Sequence, residues 1–506
     1  MISFQKNMPV VVIQWLCSNW LPLTVSIITG WIIRKLVRAR KEPPGPWCLP
    51  LLGYLPVYWN KRHLCQQFQE LAQKHGDVFQ IQLGETNNIV LNSADVVKEA
   101  FRRPELAYRE HSGVNGLLIE AGEGLILFAN GEDWKRSRKI AQHALGKFSS
   151  SRNSQLESCA HSCVRWLIQT WKDRKGAPVT AKEGLMRCTG GIIASLCFGS
   201  QADPDDQFLL GLFDFTEKFF SRPLTLKALD MYPSLAPVLY IVLRQARTVL
   251  KAFVDNIREK LLAYQPNDEI RTICDSLCKS AAEIEAAEGT AWMSAEDVKR
   301  IGIDLYDAGF FTTAESMDWL LALMAGHPQI QDKVHRELDK FVAKKDLPTL
   351  NPHWDQLVYC KACVFEGLRW TAILSLGLPR RVETEIELFG YTFRKGSRIL
   401  ANLYSISRDP VLYQDPDTFM PDRFIHSDGS FNKLLADNLF VFSYGKRRCS
   451  GESIAKQDIF LLFTAIMSSF KIRPAPDYMD CEFLKGVDRS TVLSPRPHEL
   501  VFTERE

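Results

Sequence analysis

The chain has 506 residues, 46% of them hydrophobic and 24% charged, which suits a large folded core and excludes a disordered or collagenous chain. Lysine and arginine number 62 against 59 aspartates and glutamates, so no global basic field marks nucleic acid as a partner. The 13 cysteines, odd in number and spread along the chain, exclude a small disulfide scaffold and fit a reducing, cytosol-facing environment.

Between Asn7 and Ile33 there is no charged residue, and Val10–Ile33 is mostly apolar, with Trp15, Trp20 and Trp31. Residues 1–33 therefore read as an N-terminal signal anchor that crosses a membrane as a helix. Arg34, Lys35, Arg38, Arg40 and Lys41 follow, and positive charge after the span keeps the rest of the chain in the cytosol. A cleaved signal peptide would carry its charge before a shorter apolar run. Residues 34–50 form a basic, then proline-rich connector, made stiff and extended by Pro43, Pro44 and Pro46.

Residues 51–506 show no second linker, repeat or low-complexity run, and read as one large domain. Phe79–Leu91 predicts two short strands about a polar turn, and Ile386–Leu400 predicts the same. Cys159–Trp171 and Ala246–Leu262 have helical periodicity, as does most of the remainder. The class is mainly α with a minor β region.

Ser294 followed by Asp297 is a helix start, and Gly326-His327-Pro328 is a stop. The helix between them has about thirty residues and spans roughly 45 Å, enough to cross the domain. In its middle lies "DLYDAGFFTTAES", Asp304–Ser316, where Gly309 costs about 1 kcal/mol relative to alanine. Bulky Phe310 and Phe311 follow the glycine, then the paired hydroxyls of Thr312 and Thr313.

The most specific segment is Phe442–Phe463, "FSYGKRRCSGESIAKQDIFLLF". Cys449 stands between Gly445 and Gly451, beside Lys446, Arg447 and Arg448, just before a helical pattern. Positive neighbours and a helix N-terminus both favour thiolate. Gly445 permits a tight turn, and Gly451 lets a flat ligand approach the helix. These residues alone fit a shielded thiolate ligand and a buried structural cysteine equally well.

Phe442, Gly445, Arg447, Cys449 and Gly451 match the pattern F-x-x-G-x-R-x-C-x-G, and the chain here resembles the cytochrome P450 superfamily. The resemblance extends along nearly the whole chain, through Glu366 and Arg369 of "EGLR", Arg423 of "PDRF", and Trp134 and Arg138 of "WKRSR". It implies the cytochrome P450 fold and haem b (iron protoporphyrin IX), with Cys449 as the iron's axial thiolate, a ligand that promotes O–O cleavage. Trp134, Arg138, Arg380 and Arg447 would bind the haem propionates, with Arg381 as the alternative to Arg380. Glu366, Arg369 and Arg423 would be structural. Cys360 and Cys363 lie in the helix of Glu366 with no second ligand pair, and read as packing.

By the same resemblance, "AGFFTT" is the oxygen-binding segment. Ala308 and Gly309 would leave room for dioxygen, and Thr312 would hold its proton network. The family's usual acid before that threonine is Phe311 here, which cannot relay a proton. Waters held by Thr312 replace the acid in one reading. Asp307, one turn earlier, supplies a carboxylate in a second, against which stands a hydrogen-bonded or substrate-facing acid with no relay role. Oxygen activation is lost in a third. Asp304 reads as a structural acid.

The resemblance implies a membrane-bound monooxygenase that inserts one oxygen atom into a small lipophile, a steroid or a xenobiotic. The alternative is a reductase-independent isomerase or lyase of lipid hydroperoxides, and a non-catalytic haem protein is a third class. Electrons would come from an NADPH–cytochrome reductase, with cytochrome b5 as a second candidate donor. The domain would lie on the cytosolic side of the endoplasmic reticulum membrane. Lys446, Arg448, Lys456, Lys135, Arg136 and Lys139 form a candidate docking face for the reductase. Ser112–Leu127, Phe208–Tyr240, Thr371–Leu378 and Val487–Leu493 correspond to pocket-lining segments in relatives. They supply aromatic and aliphatic residues such as Phe213, Phe220, Ile373 and Val492.

Overall fold

The apolar helical period of the sequence is realised as long helices around a shared core. The computed structural model describes residues 41–506 apart from 50, 59–61, most of 112–123, 149–153, 200–227, most of 243–268, 290–293, 345, 490–491 and 506; before residue 41 it describes only Pro22, Ser26 and Thr29. The anchor at 1–33, most of the helix expected at Ala246–Leu262, and Phe213 and Phe220 lie outside the described residues. Among the described residues, no helix is long and apolar enough to cross a membrane.

The principal helices are α1 (Leu64–His75), α2 (Ala94–Arg102), α3 (Gly131–Phe148), α4 (Ser154–Asp173), α5 (Ala181–Phe198), α6 (Ala236–Val242), α7 (Ile273–Glu288), α8 (Ala295–Gly326), α9 (Pro328–Phe341), α10 (Val358–Thr371) and α11 (Glu452–Ser469). The long central helix, α8, has 32 residues, about 48 Å of rise. Ser294 Oγ accepts from the Asp297 N–H at 3.0 Å, and Pro328 opens α9 beyond the far end. Helices α5, α7, α10 and α11 all pack on α8.

Gly309 has a packing reason. A Cβ there would lie 3.1 Å from Ile193 of α5. The missing side chain brings α5 against α8, and Thr189 of α5 donates its hydroxyl to the Phe310 carbonyl at 3.0 Å. The space ascribed to dioxygen on the sequence is thus shared with a helix contact.

The main sheet has five strands in the order β1-β2-β7-β4-β3. They are β1 (Val78–Leu83), β2 (Thr86–Leu91), β3 (Tyr108–Arg109), β4 (Arg380–Arg381) and β7 (Arg398–Ala401), with β2–β7 parallel and the other pairs antiparallel. The β1–β2 hairpin is the one expected at Phe79–Leu91. Ile386–Leu400 is divided differently from the single hairpin expected. β5 (Ile386–Leu388) pairs with β6 (Tyr391–Phe393), and β7 then leaves to join the main sheet. Gly396, at φ +84°, supplies the left-handed turn between them. Side-chain alternation along β7 puts Arg398 and Leu400 on one face and Ile399 and Ala401 on the other.

The proline-rich connector is extended, as its composition implies, but it is held on the domain. The Pro44 carbonyl accepts from the Gln80 N–H at 2.8 Å, and the Lys41 carbonyl accepts from Thr392 at 2.7 Å. Near the site, Arg369 grips Glu366 through two bonds of 2.7 and 2.9 Å, and Arg423 reaches the same carboxylate at 3.1 Å. Arg369 also donates to the carbonyls of Ser407, Pro416 and Thr418, so this buried cluster fixes the chain on its way to Cys449. Cys360 and Cys363 are fully buried core side chains.

Candidate active site

The cysteine loop is built from short turns that no regular helix could make. Gly445 sits at φ +73°, and a Cβ there would stand 2.2 Å from the Phe101 carbonyl oxygen, so only glycine fits. The Cys449 N–H donates to the Phe442 carbonyl at 2.9 Å, closing the loop just before α11. Cys449 opens onto a cavity of about 460 Å³ whose walls include Gly451, Arg447 and, on α8, Ala308, Gly309 and Thr312. A Cβ added at Gly451 would meet nothing within 4 Å, so no protein contact demands this glycine.

The thiol does not behave as its neighbours on the sequence suggest. Burial raises the Cys449 pKa and outweighs the Gly451 N–H, Arg138 and Arg448, which lower it. Glu452 explains part of the difference. Its carboxylate holds Arg448 at 2.5 Å and Lys456 at 2.7 Å, and its own charge adds to the upward push.

Four guanidinium groups gather beside this loop: Arg109, Arg138, Arg380 and Arg447. Among the described residues no carboxylate pairs with any of them. Burial, followed by Arg109 and Arg138, pushes Arg447 down to about 8. Burial and Arg138 push Arg109 down to about 10, and burial with Arg109 and Arg447 carries Arg380 well below its ordinary value. Guanidinium does not surrender its proton in proteins, so this crowding is relieved by an anion.

Unused donors point the same way. Arg109 Nε, Trp134 Nε1, Arg138 Nε, and Arg380 Nε and Nη1 are buried without an acceptor among the described residues. Arg109 and Arg380 also donate, to the carbonyls of Pro379 at 3.0 Å and Tyr444 at 2.8 Å, but in Arg447 every nitrogen has an acceptor: the carbonyls of Ala107 at 2.8 Å, Ile126 at 3.1 Å and Ala129 at 2.5 Å, and Asn130 Oδ1 at 3.1 Å. It brings charge and anchors the adjoining loop, with its guanidinium 3.9 Å over the Trp134 ring. Arg380 is fully buried, whereas Arg381 faces outward to Glu110 at 3.6 Å. A flat group with acidic arms and a metal centre, as haem is, fits the open Gly451 face, these donors and the thiol.

Arg109 was not marked by the sequence. It belongs to no local motif and joins the cluster only because β3 pairs with β4, which sets Arg109 directly across from Arg380.

On α8, the Thr312 hydroxyl donates to the Ala308 carbonyl at 2.8 Å, leaving its lone pairs as acceptors beside the cavity. Asp307 lines the cavity, yet both of its carboxylate oxygens are buried. Burial first, and Asp307 second, push the Cys197 thiol on α5 up to about 12, so the carboxylate lies near that thiol, which also lines the cavity. Asp304 accepts from the backbone N–H groups of Gly124 at 2.8 Å and Ile126 at 2.6 Å, and so ties a cavity-lining loop to α8. Phe311 is buried, with Lys182 Nζ of α5 5.8 Å from its ring centre. One turn on, buried Glu315 pairs with that lysine at 2.9 Å.

The candidate docking face is more neutral than its sequence. Lys135 pairs with Glu132 at 2.5 Å, Lys139 with Glu288 at 2.6 Å, and Arg448 and Lys456 with Glu452. The Lys456 side chain is also mostly buried. Lys446 remains exposed.

The family model described as Cytochrome P450 matches residues 43–502. Cytochrome P450 2H2 of Gallus gallus is 30% identical over 494 residues, covering 96% of this chain and 97% of that protein. Cytochrome P450 2J2 of Homo sapiens is 29% identical over 492 residues, covering 94% of each. Cytochrome P450 1A1 of Felis catus is 28% identical over 487 residues, covering 92% of each.

Proposed function

Starting from the premise that this chain belongs to the cytochrome P450 family, whose members are haem-dependent monooxygenases, we propose that it inserts one oxygen atom into a small lipophile with electrons from an NADPH-dependent flavoprotein reductase. The observation that carries this reading is the single cavity that joins the Cys449 sulfur to Ala308 and Thr312 of α8. We further propose that the enzyme is held at the endoplasmic reticulum membrane by residues 1–33, with its catalytic domain in the cytosol.

Haem, when bound, supplies the redox chemistry of oxygen activation. Cys449 would be its protein ligand. Arg109, Trp134, Arg138 and Arg380 would donate to its carboxylates, and Arg447 would add charge while holding the Ile126–Asn130 loop. Phe442, with Ile454 and Ala455 of α11, would keep water from the sulfur. Thr312, with its proton committed to Ala308, accepts from a water and orients it in the cavity. Asp307, which also lines the cavity, is assigned no relay role. The proton route that fits this geometry is a water held by Thr312, with Phe311 as an apolar wall.

The test supplies purified, membrane-reconstituted protein with reductase, NADPH and a panel of lipophiles. Substrate-dependent oxygen consumption with a hydroxylated product is the expected result. Turnover of a lipid hydroperoxide without reductase, and none with it, would overturn the proposal in favour of an isomerase or lyase. For the reductase, Lys446→Glu is the informative reversal, because the other candidate lysines on this face largely have acidic partners already.

A further inference from the structure

We propose that Arg398 forms an anion subsite in the cavity, and that the lipophile this enzyme accepts carries a carboxylate. The proposal rests on reading the cavity as a substrate pocket and adds the substrate's polar end.

Arg398 lies on β7 and lines the cavity, although only 9% of its surface is exposed. It is separate from the guanidinium cluster beside Cys449. Arg380 of that cluster stands across from Ile399 in the sheet, and alternation puts Arg398 on the opposite face, with Leu400. That face packs against Met231 and Leu376.

The side chain is poorly satisfied where it stands. Nη1 donates to the Asp230 backbone carbonyl at 3.4 Å, the long end of a hydrogen bond, and Nε is buried with no acceptor among the described residues. Among the described residues no carboxylate lies within ion-pair distance of it. Asp230 contributes its carbonyl, and its side chain makes no ion pair with Arg398.

The neighbours in register add no counter-charge. Arg381 of β4 stands directly opposite on one side and is itself paired with Glu110. Asn88 of β2 stands opposite on the other side and turns its amide to the carbonyls of Thr86 and Ile81. Asp304 also lines the cavity, but its two oxygens are held by backbone N–H groups.

A buried guanidinium without an anion is costly to fold. Facing an apolar cavity, it is matched by a ligand that is apolar along its length and anionic at one end. Arginine is suited to this task because its fork takes both oxygens of a carboxylate. A head group fixed at the sheet would leave the far part of the chain to reach the α8 wall, so oxidation would fall on carbons remote from the carboxylate.

The experiment titrates the haem-loaded protein with dodecanoic acid, methyl dodecanoate and dodecyltrimethylammonium, and follows the change in haem absorbance as ligand displaces water. Wild type should prefer the acid to the ester and the ester to the quaternary ammonium. Arg398→Gln should weaken the acid by about tenfold and leave the ester unchanged, and Arg398→Lys should restore part of the loss. Equal binding of acid and ester by wild type would overturn the proposal. So would an equal loss of both in Arg398→Gln, which marks a structural residue. If neither substitution yields folded protein, the wild-type ranking of the three probes decides alone. Because the readout is binding, it stands apart from the oxygen-consumption test of the monooxygenase reading.

Discussion

Asp304→Asn separates two forces that act on one carboxylate. In the folded protein Asp304 titrates at about 6 against an ordinary 3.8, because burial outweighs the N–H groups it accepts from. A raised carboxyl pKa means that the folded state holds the proton more tightly than the unfolded state. The resulting stabilisation is full below pH 3.8 and is lost as the pH rises through 6. From those two values, wild type gains about 1.3 kcal/mol on going from pH 7 to pH 5, and a residue that cannot titrate gains nothing. The asparagine amide can accept from only one of Gly124 and Ile126, and the orphaned N–H costs about 1–3 kcal/mol at every pH. The stability difference between the two proteins should therefore move by about 1.3 kcal/mol in favour of wild type between pH 7 and pH 5, whichever leads at pH 7. For a domain this large, that is about 1 °C in melting temperature, measurable by differential scanning fluorimetry. A difference that stays constant or moves in favour of the variant on acidification would refute the reasoning, since the hydrogen bonds would then outweigh burial. Because Asp304 holds the loop that places Ile126 and Phe128 at the cavity, ligand titrations of the variant should weaken at pH 7 as well.

Two further outcomes follow from the charges around the site. Arg109→Gln should lose haem faster than wild type on dilution into a haem acceptor, while its haem-free form melts no lower, because one of four mutually repelling cations is gone. Unchanged haem release would remove Arg109 from the cluster's role. Phe311→Glu would place a carboxylate one turn from Glu315 and in reach of the same Lys182, so that lysine captures it and the ratio of product to NADPH consumed should not improve. A better ratio would show that the new acid does reach the proton route.

What could be read from the sequence was whatever a single segment carries. The ends of α8, the β1–β2 hairpin, the Cys449 loop and the Glu366–Arg369 pair depend on residues a few positions apart, where local geometry nearly determines contact. Arg109 and Arg380 are far apart in the chain and meet only through the β3–β4 register, and β7 joins β2 only after the hairpin of β5 and β6 intervenes. No spacing in the sequence encodes either event. Gly309 shows the same limit within one residue. Its place in the motif suggested free volume, while the partner helix α5 determines what fills that volume.

Electrostatics departed furthest from the sequence, because charge depends on pairing and burial more than on composition. The basic run Lys446-Arg447-Arg448 implied a field that lowers the Cys449 thiol. In the fold, Arg447 spends its donors on carbonyls, Arg448 is tied to Glu452, and burial reverses the sign of the shift. The same accounting weakens the candidate reductase face, where Glu132, Glu288 and Glu452 cancel much of the lysine charge. It also brings out Arg398, one unremarkable arginine in "KGSRIL", as a buried cation for which the described residues supply no anion. A guanidinium left in that state is best explained by what enters the cavity.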